Sequence, residues 1–436
     1  MSEEFVKILR KLCGRENVFN NEMELASYSY DASYIRGQPK VVVRPSSVED
    51  VAEVISAAAE HGVPITPRGA GTSLVGGPVP VRGGIVLDML RMNEIVEVDE
   101  ENMHAIVEAG VRVRDLNARL DGMFFPIDPD GLGVSTVAGL IAEDAASPLS
   151  PAYGTARDSV LSVEMVLGSG RVVRLSGSMV NLAVGSEGTL GVITRAVVRL
   201  SPTPESMSSF SIRVIDASDG LDLLSLVYSK GYRPEVFEII HRDVLDILEV
   251  DPEIGAIVEA AFIGSEPWVS AQSEALRSSV EEVKPLGVEE AEELPRPSMS
   301  WLTEALKKAE RSAVFISVSV SRSSIRDVLQ EIDRVAMRMR LKTITAVNAP
   351  LGWIISGILF DPLDEREYQR AIKASEQVVH ATLRICSSAR LGFGTGIGAS
   401  MARAFEAGFP EEADVFRAIK SALDPMGVMN PGKIIP

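Results

Sequence analysis

Between Ile65 and Gly77 the chain reads Ile-Thr-Pro-Arg-Gly-Ala-Gly-Thr-Ser-Leu-Val-Gly-Gly, a short β-like run breaking into a loop with four glycines and a Thr-Ser pair. Glycine has no Cβ, so successive backbone N–H groups in such a loop can converge on one anion, and the two hydroxyls add donors. A phosphate cradle is the functional reading; a plain glycine-rich hairpin is the structural one. The loop is not a G-x-G-x-x-G dinucleotide fingerprint, because Leu74 stands where the third glycine belongs. It is not a P-loop either, since no Gly-Lys-Ser/Thr follows.

The surrounding segments narrow the choice. Upstream is Val41-Val42-Val43-Arg44-Pro45-Ser46-Ser47-Val48-Glu49-Asp50, a strand, a turn and a capped helix start. The helix continues to His61, with Val51, Val54, Ile55 and Ala58 on one face. Downstream come Gly84-Ile85-Val86-Leu87-Asp88, Ala105-Ile106-Val107-Glu108-Ala109-Gly110, Phe125-Pro126-Ile127-Asp128-Pro129, Tyr153-Gly154-Thr155-Ala156-Arg157-Asp158 and Gly185-Ser186-Glu187-Gly188-Thr189-Leu190-Gly191-Val192-Ile193.

In this order the segments resemble the FAD-binding domain of the vanillyl-alcohol oxidase/PCMH flavoprotein superfamily, and within it the D-lactate dehydrogenase and glycolate oxidase group. The resemblance runs from about Leu25 to Asn430-Pro431-Gly432-Lys433. It implies an α+β fold: a PCMH-type FAD-binding domain of two subdomains over residues 1–203, an α+β cap with an antiparallel sheet over 204–385, and a segment 386–436 returning to the flavin domain. It implies that Pro67, Arg68, Gly69, Ala70, Gly71, Thr72, Ser73, Gly76 and Gly77 surround the FAD pyrophosphate. Ser135, Thr136 and Gly139 lie along the other side of the cofactor. Glu187, Gly188, Gly191, Val192 and Ile193 meet the adenine and ribose, Thr155 and Asp158 belong to the same site, and Asn430 reaches the isoalloxazine. Members that tether FAD commonly use a His just after the glycine turn; Thr72 stands there, so FAD is expected to be non-covalent.

On the substrate side the chain departs from the group. Lactate- and glycolate-type members carry Gly-His-x-Gly-Asp-Gly-Asn-x-His and Ser-Gly-Glu-His-Gly-Ile-Gly, whose histidines and acid hold a divalent metal and supply a base. The corresponding stretches read Asn348-Ala349-Pro350-Leu351-Gly352-Trp353-Ile354-Ile355-Ser356 and Gly392-Phe393-Gly394-Thr395-Gly396-Ile397-Gly398. Ala349 and Ser356 replace the ligand histidines, Gly394 the acid and Thr395 the remaining His, so no metal site is expected. The usual Asn-Ala-Gly-Gly is Asp144-Ala145-Ala146-Ser147. Of the four histidines, His241 falls where the resembled cap lines the active-site side, which makes it and Glu238 the candidate catalytic residues. Arg322, Lys307 and Arg390 are candidate anchors for a substrate carboxylate.

Composition bounds the partners. A net charge of −18 excludes a nucleic-acid binder, which needs a concentrated basic surface. Two distant cysteines, Cys13 and Cys386, exclude a disulfide framework or an iron–sulfur cluster within the chain. No apolar run is long enough to cross a bilayer, and Met1-Ser2-Glu3-Glu4-Phe5 lacks a signal-peptide pattern, so a cytoplasmic protein is expected. Two functions stay open. One is an FAD-dependent dehydrogenase of a small 2-hydroxy acid without the usual metal site. The other is a non-catalytic or electron-relay FAD subunit of a larger complex, with an iron–sulfur protein as one possible partner in a homo- or hetero-oligomer. A relay would suit the apolar run Leu351, Trp353, Ile354, Ile355 and Phe393. A third possibility, a chain that has lost FAD, fits poorly with an intact amide cradle.

Overall fold

The computed structural model describes residues Met1–Pro436. Its first sheet has the order Val18–Phe19, Val41–Val43, Ile85–Asp88, Ile65–Arg68. The last three strands run parallel and are largely buried, which suits the apolar runs Val41–Val43 and Ile85–Leu87. The crossover between Val41–Val43 and Ile65–Arg68 is the helix Val48–His61. It starts where Ser47 caps the Asp50 amide and stops at Gly62 in the left-handed conformation, with Val51, Val54, Ile55 and Ala58 packed inward. The glycine-rich loop therefore leaves the carboxyl end of a parallel strand, where α/β sheets present their ligand crevices.

A second, fully antiparallel sheet has the order Ile95–Asp99, His104–Glu108, Gly191–Arg199, Val160–Leu167, Val172–Ser176. The helix Val137–Glu143 packs on Gly191–Arg199, and both sheets share one apolar core. Ser201-Pro202 pairs with Met123–Phe124 in a separate two-stranded ribbon. The proline is tolerated because this two-stranded ribbon is all edge.

The cap is an eight-stranded antiparallel sheet in the order Gly287–Ala291, Ser206–Val214, Ala256–Gly264, Val236–His241, Thr343–Asn348, Trp353–Phe360, Ser312–Ser319, Arg390–Leu391. Alternation along each strand serves two cores. Phe237 and Ile239 meet the outer helices Ala217–Ser229, Glu266–Val283, Ile325–Met339 and Glu365–Ile385. Ile240, Ile355 and Trp353 face the other way, against Arg242–Leu248, Ser298–Ala309 and Ala146 of the flavin domain. The C-terminal stretch belongs to both halves. Arg390–Leu391 extends the cap sheet, whereas Met429 bridges Ile65 and the Asn430 amide donates to the Ile65 carbonyl at 2.7 Å.

Candidate functional site

Beyond Arg68 the loop opens, and the amides from Gly69 through Leu74 donate to no protein group. An exposed run of backbone donors over a cleft calls for a bound acceptor, since such groups are otherwise paired. The loop is held close to its neighbours. A Cβ at Gly69 would stand 2.3 Å from Thr136 Oγ1, and Gly71, at φ +74°, sits over the Arg68 guanidinium. Thr72 Oγ1 lies 3.0 Å from Ser135 Oγ, which ties the loop to the second glycine-rich segment. Thr136 caps the helix Val137–Glu143 through the Gly139 amide at 3.2 Å.

These segments form a half-open cavity lined by Pro67–Ser73, Gly77, Ser135, Thr136, Gly139, Glu187, Gly188 and Gly191–Ile193. Met89, Ala109, Val192 and Ile193 make one end apolar. Four other expected residues do not line it. Gly76 turns the chain at φ +82° against Ile35. Thr155 and Asp158 form a capping box on Ala156–Ser159, with Thr155 Oγ1 donating to Asp144 at 2.7 Å. Asn430 lies behind the wall and donates to the carbonyls of Gly77 at 3.1 Å and Glu187 at 2.7 Å, leaving its own buried Oδ1 without a partner.

A second chamber of about 1350 Å³ shares Arg68, Ala70–Ser73, Ser135, Leu140 and Glu143 with the first. Its far side comes from the cap and the C-terminal turn: Met299, Thr303, Trp353, Gly394 and Thr395. Thus Gly394 and Thr395, two of the four departures from the metal-binding motifs, face this chamber. Ala349 is buried in the cap core, and the Ser356 hydroxyl pairs with Thr345 Oγ1 at 2.9 Å inside the sheet. Trp353 donates to Ser317 Oγ at 2.8 Å and meets Phe393 edge-on at 6.1 Å.

Carboxylates dominate the electrostatics. Burial pushes the Glu143 carboxyl up to about 8; the Ser73 hydroxyl opposes this, and the Glu187 and Asp31 charges add to it. Burial also raises Glu187 to about 7, against the amides of Ile397 and Gly398, which donate to it at 2.6 and 2.7 Å, and against Lys433. Burial raises Asp31, and lowers Lys433 to about 8. Asp128, beside the chamber-lining Asp130, rises to about 6 through burial and that neighbour's charge. Arg68 is the one basic side chain lining either cavity.

Neither candidate catalytic residue lines the FAD cavity or the second chamber. His241 ends its strand 3.3 Å from Asp243 and 4.0 Å from Asp333. Burial lowers its pKa, but Asp243, Asp333 and Asp216 outweigh that and lift it to about 9. Glu238 is buried beneath Ser298–Ala309, accepting from the Ser298 amide and hydroxyl at 2.8 Å each. It anchors the helix whose Met299 and Thr303 wall the second chamber. Of the other candidates, Arg322 lies over Tyr228 and Arg390 over Phe393, and neither they nor Lys307 line the chamber. Sequence reasoning passed over Asp31, Asp130 and Glu143. The available signal was a carboxylate closing the otherwise apolar helix Val-Ala-Gly-Leu-Ile-Ala-Glu.

Residues 39–176 match the FAD binding domain family, and residues 203–434 match the FAD linked oxidases, C-terminal domain. The chain belongs to the FAD-linked oxidase family. The glycolate oxidase subunit GlcD of Bacillus subtilis is 28% identical over 98% of this chain and 95% of that protein. A D-lactate dehydrogenase of Archaeoglobus fulgidus is 30% identical over 91% of each. p-Cresol methylhydroxylase shares the fold at TM-score 0.83 and 18% identity, over 99% of this chain and 96% of that one. The 4-ethylphenol oxidase of Gulosibacter chungangensis does so at TM-score 0.82 and 19% identity, over 100% and 98%.

FAD is the cofactor of this FAD-linked oxidoreductase. The residues present fit it: the unpaired amides of Gly69–Leu74 suit a diphosphate, and the glycines leave room where a Cβ would intrude. When bound, FAD supplies the acceptor for a hydride. No helix of this member of the family is long and apolar enough to cross a membrane.

Proposed function

We propose that the chain oxidises a small 2-hydroxy acid with non-covalent FAD and without the histidine–carboxylate metal site of the lactate and glycolate enzymes. The loop amides of Gly69–Leu74 hold the diphosphate, and the chamber under the cap takes the substrate. One observation carries the reading: the FAD cavity shares Arg68 with a chamber that offers a substrate carboxylate no other cation. Buried Arg68 pairs with an anion there at low solvation cost, and Thr303 and Thr395 add hydroxyl donors. Thr72 and the absence of histidine or cysteine from both cavity linings support a removable flavin. The experiment is anaerobic bleaching of the FAD-loaded chain by D- and L-lactate and glycolate. Bleaching by one acid that survives chelator supports the reading; bleaching lost on chelation overturns its metal-free part, and no bleaching overturns the reading.

A relay subunit is the second reading. It is favoured by the Trp353–Phe393 pair walling the cap side and by the subunit status of the GlcD relatives. An iron–sulfur protein is then the partner to seek, and retained FAD that no acid reduces, but that a partner protein does, supports this reading.

A further inference from the structure

We propose that Glu143 is the proton-exchanging group of the cap-facing chamber, its carboxylate taking the proton released when the substrate hydroxyl is oxidised. The inference rests on the hydroxy-acid reading above and names the group that reading lacks.

Position comes first. Glu143 is the one carboxylate that lines both the FAD cavity and the chamber under the cap. It stands at the boundary where cofactor and substrate must meet. It closes the helix Val137–Glu143, whose packing on Gly191–Arg199 fixes it in place. On the opposite side of the chamber, Gly394 and Thr395 offer no titratable group.

Commitment of the neighbours comes second. Glu187 is engaged by the amides of Ile397 and Gly398. Asp31 Oδ1 accepts from the Ser33 amide at 2.9 Å and from its hydroxyl at 2.5 Å; Asp31 Oδ2 is buried without a partner, but Asp31 lines only the chamber and not the FAD cavity. Asp130 accepts from the Leu132 amide at 3.0 Å. Glu143 receives no backbone amide; only the Ser73 hydroxyl supports its charged form. A carboxylate without fixed donors changes its proton with little rearrangement. The charges acting on it are those of Glu187, from the turn before Gly191–Arg199, and Asp31, from the N-terminal segment; Arg68 lines the same two cavities, and Lys433 acts on Glu187 and Asp31. Burial, with the charges of Glu187 and Asp31 adding to it, keeps Glu143 protonated to about pH 8, so its conjugate base is stronger than an ordinary carboxylate.

The step balances. The carbinol C–H bond breaks with its electron pair leaving as hydride to FAD, the O–H bond breaks with its proton passing to Glu143, and the carbonyl forms. Substrate is oxidised by two electrons and flavin is reduced by two.

The test uses the FAD-loaded chain as wild type, Glu143→Gln and Glu143→Asp. Stopped-flow bleaching by D-lactate, L-lactate and glycolate is followed from about pH 6 to about pH 10, bracketing the carboxyl's raised range. In wild type the rate should rise about tenfold per pH unit and level near pH 8. Glu143→Gln should lower the plateau by roughly 10²–10⁴-fold and abolish the rise, while Glu143→Asp keeps a displaced rise. The flavin midpoint potential, measured over the same range without any substrate, should bend near pH 8 in wild type and not in Glu143→Gln. Bleaching with an unchanged pH rise in Glu143→Gln, or identical potential curves, overturns the Glu143 proposal while leaving the hydroxy-acid reading standing. A bend lost in Glu143→Gln with no bleaching by any acid overturns the hydroxy-acid reading, and with it the substrate proton transfer, leaving only the link between the Glu143 proton and the flavin.

Discussion

The Asn430 side-chain amide donates to the main-chain carbonyl of Glu187 across 243 positions of sequence, at 2.7 Å. The same nitrogen reaches the Gly77 carbonyl, so one C-terminal side chain pins both the end of the glycine-rich loop and the turn before Gly191. Replacing it strands two carbonyls inside the fold. Asn430→Ala should cost about 2–6 kcal/mol, at about 1–3 kcal/mol for each of the two unsatisfied buried groups. The loss should appear in the melting temperature of the apoprotein, with weaker FAD retention on gel filtration. An unchanged apoprotein melt would mean that the loop and turn hold their positions without Asn430.

Gly69 tests the cradle separately from the fold. A methyl group there would meet Thr136 Oγ1 at 2.3 Å, in the cavity-lining loop just past the strand Ile65–Arg68. Gly69→Ala should weaken FAD binding by about tenfold or more, since about 1.4 kcal/mol of loop displacement is enough. The apoprotein melt should stay within about 1 kcal/mol of wild type. Calorimetric titration of apoprotein with FAD checks this, and undiminished affinity would show that the loop's close contact with Thr136 does not matter to binding.

How much of this was legible before the structure follows from the kind of residue involved. A backbone cradle writes itself into sequence, because only glycine permits the approaches at Gly69 and the positive φ at Gly71. The Val48–His61 helix was equally plain, since its cap, its apolar face and its terminal glycine are local. The second chamber was opaque for the opposite reason. Asp31, Glu143, Thr303 and Thr395 lie on four unrelated segments that meet only after the cap docks. His241 and Glu238 sit on one strand, yet Glu238 is covered by the helix Ser298–Ala309 and His241 is drawn among Asp243, Asp333 and Asp216. Their place in the resembled cap pointed to this segment and could not tell which helix covers it.

The buried carboxylates give the apoprotein an unusual pH response. Glu143, Glu187 and Glu238 all have folded-state pKa values raised from 4.5, to about 8, 7 and 7, by burial. Between those limits the folded chain binds more protons than the unfolded chain, so stability falls as pH rises from about 4.5 to about 8. Melting temperature should decline across that window. Glu238→Gln, which keeps an acceptor for Ser298, should flatten the slope and melt higher than wild type near pH 8. A flat wild-type profile, or a variant with the wild-type slope, would show that these carboxylates are not titrating in the fold.

His241 separates structural from catalytic histidines. Its imidazole is held among Asp243, Asp333 and Asp216, and its folded-state pKa is lifted from 6.5 to about 9. The sign follows directly: the imidazolium contributes its full stabilisation below about pH 6.5 and loses it as pH rises through 9. His241→Asn should therefore destabilise the chain near pH 6, by about 2 kcal/mol, because it removes the cation from buried Asp243 and half-exposed Asp333. The gap to wild type should shrink above pH 9. His241 lines neither the FAD cavity nor the chamber under the cap, so the flavin spectrum and the rate of flavin reduction should not change. Paired thermal melts across this pH range, with flavin reduction by dithionite and by any acid that bleaches wild type, measure both halves. A slowed acid-driven reduction with an unaltered melt would return His241 to the substrate side of the cap, where its place in the sequence first put it.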